Sequence, residues 1–213
     1  LTTRDFLSAA FRLLLHIRPG QRHFSVETSI ANYAQYAHLA RVRELIQSSR
    51  ELRTALGDYV VTPDIIVSRL PISDDELNRH EPLVDPEGQP RYTPLRKDVL
   101  SDPRPILHAS ISYKLTLRSD RSQNARTEGL NLIRNRKGNT PHIVVVTAEP
   151  LPTRTASLAL GTGDIDCVYH FALPELAQAA HAVGNEAIID SLEELIAGDR
   201  LRDISDLPFD LAI

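Results

Sequence analysis

The sequence predicts an α/β domain, with a mixed β-sheet flanked by helices. Three observations carry this. Short β-branched stretches at 59–67 and 142–147 are interleaved with segments whose apolar residues recur at three- and four-residue spacing. The stretch 110–117 alternates strictly, with Ile111, Tyr113, Leu115 and Leu117 against Ser110, Ser112, Lys114 and Thr116. Finally, 213 residues of which 42% are hydrophobic and 24% charged suit one core, so a single domain over 1–213 is expected.

Taken in order, Phe6, Leu7, Ala10, Phe11, Leu13 and Leu14 share a helical face behind the possible caps Thr2 and Thr3, and Arg18-Pro19-Gly20 stops the pattern. Ile30, Tyr33, Ala37, Ala40, Leu45 and Ile46 predict a helix over 29–47, with a shorter one over 51–56. The run 59–67 reads as a buried strand with Pro63 near its start or at a bulge. Residues 73–105, rich in Pro, Asp, Glu and Arg, read as a partly irregular excursion. Beyond them come the strand 110–117, a helix over 122–135, and strands at 142–147 and 166–173. Helices then run over 175–197, between Pro174 and Gly198. No internal repeat is visible.

A net charge of -4 and a pI near 6.1 exclude a protein that coats nucleic acid through overall basicity. Cys167 is the sole cysteine, which rules out an intrachain disulfide and a cysteine-based zinc site and fits a reducing cytoplasm. No apolar run approaches the roughly 20 residues that span a bilayer. The chain opens on Leu1 and contains no methionine, so we expect a segment upstream.

Asp64, Lys114 and Glu128 carry the chemistry. Phosphodiester hydrolysis with Mg²⁺ needs carboxylates for the metal, a positive group near the attacking water and phosphate, and rigid mounting. Asp64 lies in Pro63-Asp64 on one strand, and Lys114 shares a strand face with Ser112. Neighbouring strands about 4.8 Å apart bring such residues together. Ser112, two residues before the lysine, cannot supply a negative charge. A second carboxylate must come from elsewhere, and Glu128 on the following helix is the obvious donor.

Arg118-Ser119-Asp120-Arg121 can read G·C pairs, since arginine bridges guanine O6 and N7 and aspartate accepts from cytosine N4. Arg121 and Glu128, seven residues apart, would fall on one side if the helix already includes Arg121, about 10 Å apart along it. Between Arg118 and Lys137 six basic residues face two acidic ones, a concentration that favours phosphate contact.

The order Pro-Asp, Ser-x-Lys and a downstream helical Glu resembles the variant motif of the NgoMIV-type Type II restriction endonucleases, which cut sites containing CCGG. The resemblance extends through Thr-Pro-Asp-Ile-Ile-Val (62–67), Arg-Ser-Asp-Arg (118–121), Leu-Ile-Arg-Asn-Arg-Lys-Gly (132–138), Pro-His-Ile-Val-Val-Val-Thr-Ala-Glu-Pro (141–150) and Ile-Asp-Cys-Val-Tyr-His-Phe-Ala-Leu (165–173). It implies a restriction-endonuclease-like core and Mg²⁺, two per active site, held by Asp64 and Glu128. Lys114 acts on the water and Ser112 supports. Arg118, Ser119, Asp120 and Arg121 contact double-stranded DNA, and GCCGGC is cut after its first G. A palindrome calls for a homo-oligomer, a dimer at least, and the resemblance implies a tetramer. It also implies a further glutamate and outer-base contacts before Leu1.

Each residue has a plainer reading: Asp64 as a turn or strand-end residue, Lys114 on a solvated face, Ser112 as an ordinary edge residue, Glu128 paired with Arg121 or Arg126. Two whole-protein alternatives remain open at this stage. One is a sequence-specific DNA-binding module that does not cut. The other is a repair nuclease of the same fold.

Overall fold

The computed structural model describes residues 2–16, 20–56, 60–161 and 163–213. Its centre is a six-stranded sheet in the order β1 (Arg22–Val26), β2 (Ile65–Arg69), β3 (Ile106–Lys114), β4 (His142–Thr147), β5 (Cys167–His170) and β6 (Leu201–Asp203). β1, β2 and β3 pair antiparallel, whereas β3 to β6 run parallel, so the sheet is mixed as expected.

The alternation of β4 shows how helices cover both faces. Val144 and Val146 face a cluster containing Leu7 and Phe11 of α1 (Thr3–Leu13) with Leu207 and Leu211 in and just after α9 (Leu207–Asp210). Val145 faces Leu158 of α6 (Pro152–Ala159), Leu176 of α7 (Leu173–Val183) and Leu192 of α8 (Glu186–Ala197). Ile143 joins a third cluster with Tyr36, Leu39 of α2 (Ala37–Ser48) and Leu132 of α5 (Ser119–Asn135). The short helices α3 (Arg50–Leu56) and α4 (Asp74–Leu77) follow α2 and β2 in the chain. Cys167 is buried, as its apolar strand predicts.

The departures from the sequence reading have local causes. Helix α1 ends at Leu13 with Leu14 as its cap; Arg18 and Pro19 lie outside the described residues. The helix expected over 29–47 begins only at Ala37, after 3₁₀ turns at Ile30–Asn32 and Ala34–Tyr36. Tyr33 between them is extended, and the Ala34 N–H goes to the Pro105 carbonyl instead of a helical partner. The strand expected at 59–67 starts at Ile65, because the Val61 carbonyl accepts from the Ile30 N–H; Tyr59 lies outside the described residues. β1, α6, β6 and α9 were not anticipated. The helical run after Pro174 is divided at Gly184, which sits at φ 70 in the left-handed region. Within 73–105, the buried Arg96 guanidinium binds Asp74 and the carbonyls of Asp85, Gly88 and Pro90, organising a stretch that has little regular structure.

Among the described residues, no helix is long and apolar enough to cross a membrane.

Candidate active site

The site lies where β2 begins and β3 ends. Pro63 precedes Asp64, which stands one residue before β2 rather than within it. Because β2 and β3 are antiparallel, with Ile65 opposite Ile111, the start of one strand meets the end of the other. Asp64 Oδ2 accepts the Tyr113 N–H at 2.7 Å and the Lys114 ammonium at 2.8 Å. The lysine is mostly covered, at 18% side-chain exposure, while Asp64 at 42% remains open to a ligand.

The second carboxylate arrives from the helix. Ser112 is buried, and its Oγ donates to Glu128 Oε2 at 3.2 Å. Burial raises the Glu128 carboxyl above its ordinary range. The Lys114 charge and the Ser112 hydrogen bond pull it back, and the nearby Asp64 charge adds to the rise. Glu128 is held in place by its neighbour. A Cβ on Gly129 would lie 2.3 Å from the Asp164 carbonyl oxygen, so α5 approaches that loop as only glycine permits. Asp64, Ser112, Lys114 and Glu128 are thus brought together.

Arg118 is the N-cap of α5, and Ser119, Asp120 and Arg121 form its first turn; all four are exposed. The helix starts three residues earlier than expected and therefore includes both Arg121 and Glu128. Among the described residues neither Arg118 nor Arg121 forms an ion pair; Arg121 Nη1 reaches only Thr116 Oγ1, at 3.3 Å. Arg126, by contrast, is committed to Asp164 and to the carbonyls of Ser157 and Leu158. The alternative pairing of Glu128 with Arg121 or Arg126 is not formed.

Two residues given no role from sequence belong to this neighbourhood. Glu27, at φ 48, lines the same cleft as Asp64, Tyr113 and Arg4. A glutamate there carries no sequence signal, since its placement depends on the unanticipated β1. Glu149 is fully buried beside the 115–117 segment. Its signal was an acid two residues after the strand expected at 142–147.

Among the described residues no three His, Cys, Asp or Glu side chains form a metal cage. Asp64 and Glu128 offer carboxylate oxygens only. That donor set fits Mg²⁺, which uses one or two protein carboxylates and takes its remaining oxygens from water and phosphate.

Two acids around a lysine at the end of an interior strand, beside exposed arginines that form no ion pair among the described residues, define a class: a protein built to act on a polyanion. The chain belongs to the NgoMIV restriction enzyme family, whose sequence model matches residues 1–213. It is 54% identical over 215 residues to the Type II restriction enzyme NgoMIV of Neisseria gonorrhoeae, covering 98% of this chain and 74% of that protein. A restriction endonuclease, acting on DNA at specific sites, is therefore the activity of this chain. Superposition on the restriction endonuclease PspGI in complex with substrate DNA gives a TM-score of 0.31 at 19% identity. It covers 48% of this chain and 38% of that one, too little to bear on fold or site.

Proposed function

We propose that this endonuclease cuts double-stranded DNA at GCCGGC after the first G, with Asp64, Lys114, Glu128 and Ser112 as its cutting cluster. The observation that carries the cutting cluster is the 2.8 Å contact with Asp64 of Lys114, whose strand leads into the helix bearing Arg118 to Arg121 and Glu128, while the GCCGGC site is what the resemblance implies. Asp64 and Glu128 hold Mg²⁺, two ions per active site. Bound divalent ions lower the pKa of water and offset phosphate charge. Lys114, covered and held against Asp64 as an ammonium, orients the attacking water or, through its positive charge, favours loss of that water's proton to solvent. In-line attack on phosphorus then leaves a 5′ phosphate and a 3′ hydroxyl. Ser112 keeps the Glu128 carboxylate turned toward the cluster.

Arg118 and Arg121 read guanines and Asp120 reads cytosine, with Ser119 beside them at the same helix end. This reading is supported by their exposure and by the absence of ion pairs to either arginine among the described residues. A palindromic site calls for a two-fold arrangement, so the working form is a homo-oligomer, a dimer at least and a tetramer of two dimers in our reading. One domain over 1–213 carries these parts. The cytoplasm, where foreign DNA is met, is its compartment.

Digestion of plasmids bearing one or two GCCGGC sites tests this, in Mg²⁺ and in Ca²⁺, with wild type, Asp64→Ala and Arg118→Ala. Discrete fragments with wild type in Mg²⁺, lost in both variants, are expected. Uncut plasmid from wild type would overturn it. Binding without cutting under every metal condition would favour the non-cleaving module, and cutting regardless of sequence the repair nuclease.

A further inference from the structure

One carboxylate at the reacting end of the sheet stands outside the cutting cluster. Glu149 follows β4 by two residues and is fully buried. Its Oε2 accepts the Leu117 N–H at 2.7 Å, and its Oε1 accepts the Leu151 N–H at 3.1 Å, with Arg154 Nη1 3.7 Å away. Its own N–H donates to Thr147 Oγ1 at 3.1 Å. Its carbonyl oxygen lies 3.2 Å from His170 Nε2. Since His170 Nδ1 accepts the Ala172 N–H, Nε2 is the donor in that pair.

A buried carboxylate costs free energy unless hydrogen bonds compensate it, so a side chain that merely filled this space would be apolar. The bond to Leu117 indicates what the charge is for. Leu115, Thr116 and Leu117 connect the end of β3, at Lys114, to Arg118, the N-cap of α5. This connection leaves the β3–β4 ladder and is tied back by two bonds, Ala148 N–H to the Leu115 carbonyl at 3.2 Å and Leu117 N–H to Glu149. Arg118 makes no side-chain cap of its own. The start of α5 is therefore tied to the sheet by a side-chain bond to the residue just before Arg118. The helix then carries Arg118 to Arg121 at its start and Glu128 further along.

We propose that Glu149 is a specificity-determining positioning residue. By holding the Leu117 amide it sets where Arg118-Ser119-Asp120-Arg121 stands relative to Lys114, and so couples reading of the DNA to cutting. It touches no base itself. The inference rests on the reading of Arg118 to Arg121 as the sequence reader.

The test is equilibrium binding of the full chain, in Ca²⁺, to duplexes carrying GCCGGC and to duplexes with one substitution in the central CCGG. Wild type, E149Q, R118A and the double variant are compared by the ratio of the two affinities. E149Q keeps the volume but turns an NH₂ group toward one of the two amides. The ratio is expected to fall by about tenfold or more in E149Q, the scale of one misplaced base contact. The salt dependence should be unchanged, because the phosphate contacts remain. In the R118A background E149Q should cost less than about threefold further, since both act through one group. An E149Q that discriminates as well as a discriminating wild type, or losses that multiply, overturns the proposal alone. A wild type that does not discriminate overturns the reading of the site, and this inference with it. Should circular dichroism find E149Q unfolded, a backbone ester in place of the Leu117 amide deletes the same bond and leaves Glu149 intact. It is expected to lower the ratio likewise, and an unaltered ratio overturns the proposal.

Discussion

Ser112 Oγ donates to Glu128 Oε2 across 3.2 Å, joining the end of a strand to the middle of a helix sixteen positions later. This contact has a consequence for pH. The bond favours the charged form of a carboxyl that burial has raised, and it is the only one of the opposing influences on Glu128 that can be removed without changing a charge. In Ser112→Ala the Glu128 carboxyl rises further. In the proposed cluster it is the charged form that holds metal, so the acid limb of the cleavage-rate profile is expected to move to higher pH. A loss of about tenfold at the acid end, shrinking as pH rises, corresponds to a hydrogen bond to a charged group of roughly 1.5 kcal/mol. An equal loss at every pH would mean that Ser112 acts otherwise.

Asp64 serves both Tyr113 N–H and Lys114, which separates its structural from its chemical role. Asp64→Ala leaves the Tyr113 amide without its acceptor and should lower stability by about 1–2 kcal/mol in urea unfolding. Asp64→Asn retains an acceptor and should unfold close to wild type. Cleavage should be lost in both, by a factor on the order of 10³ or more, because the proposed cluster needs the carboxylate to hold metal and Lys114 together and neither replacement can do so. Substantial cleavage by Asp64→Asn would count against the proposed cluster.

Gly129→Ala places a Cβ 2.3 Å from the Asp164 carbonyl oxygen, a backbone atom that cannot simply swing aside. A destabilisation of about 2–4 kcal/mol is expected. Because the displaced helix carries Glu128 and the arginines, cleavage by the folded fraction should fall as well. Gly161→Ala meets only the end of the Arg126 side chain and should cost less. Thermal melts of the two variants, with the order reversed, would contradict this account of the α5 packing.

Burial pushes the Cys167 thiol up to about 11 from the usual 9.0. The unfolded thiol therefore ionises first, and between those two values the folded state holds more protons. Stability falls as pH rises through this window, with a contribution of about 2–3 kcal/mol fully present below pH 9 and lost by pH 11. Cys167→Ala should flatten that part of the stability profile. In the native protein at pH 8, alkylation should be slow and should become rapid in denaturant.

Period and spacing made part of this architecture legible. The strict alternation of Ser112 to Lys114 and the Ile143–Val146 apolar run each became strands, and the serine two residues before Lys114 pointed to Glu128. β1 was not legible, because Arg22-His-Phe-Ser-Val26 is a short, largely polar strand whose formation depends on pairing with β2. The 3₁₀ turns before Ala37 were not legible either, since a carbonyl at Pro105 draws the Ala34 amide out of the helical pattern. Glu149 illustrates the same limit within the site, for its partners at Leu117 and Leu151 are backbone groups, which leave no mark in the sequence.

What the sequence determined by itself was the chemistry available: which residues carry charge, which lie on one strand face, and that an acid absent beside Lys114 had to be sought elsewhere in the chain. Those follow from covalent order and from the periods of strand and helix, which are local. What only the tertiary structure decided was proximity. Asp64 meets Lys114 because β2 and β3 are antiparallel neighbours. Glu128 meets Ser112 because Gly129 lets α5 close on the Asp164 loop, and α5 leaves the sheet where a buried Glu149 holds Leu117. Each of these contacts joins residues far apart in the chain, or a side chain to a remote backbone amide, and only the packing of the whole sheet supplies them.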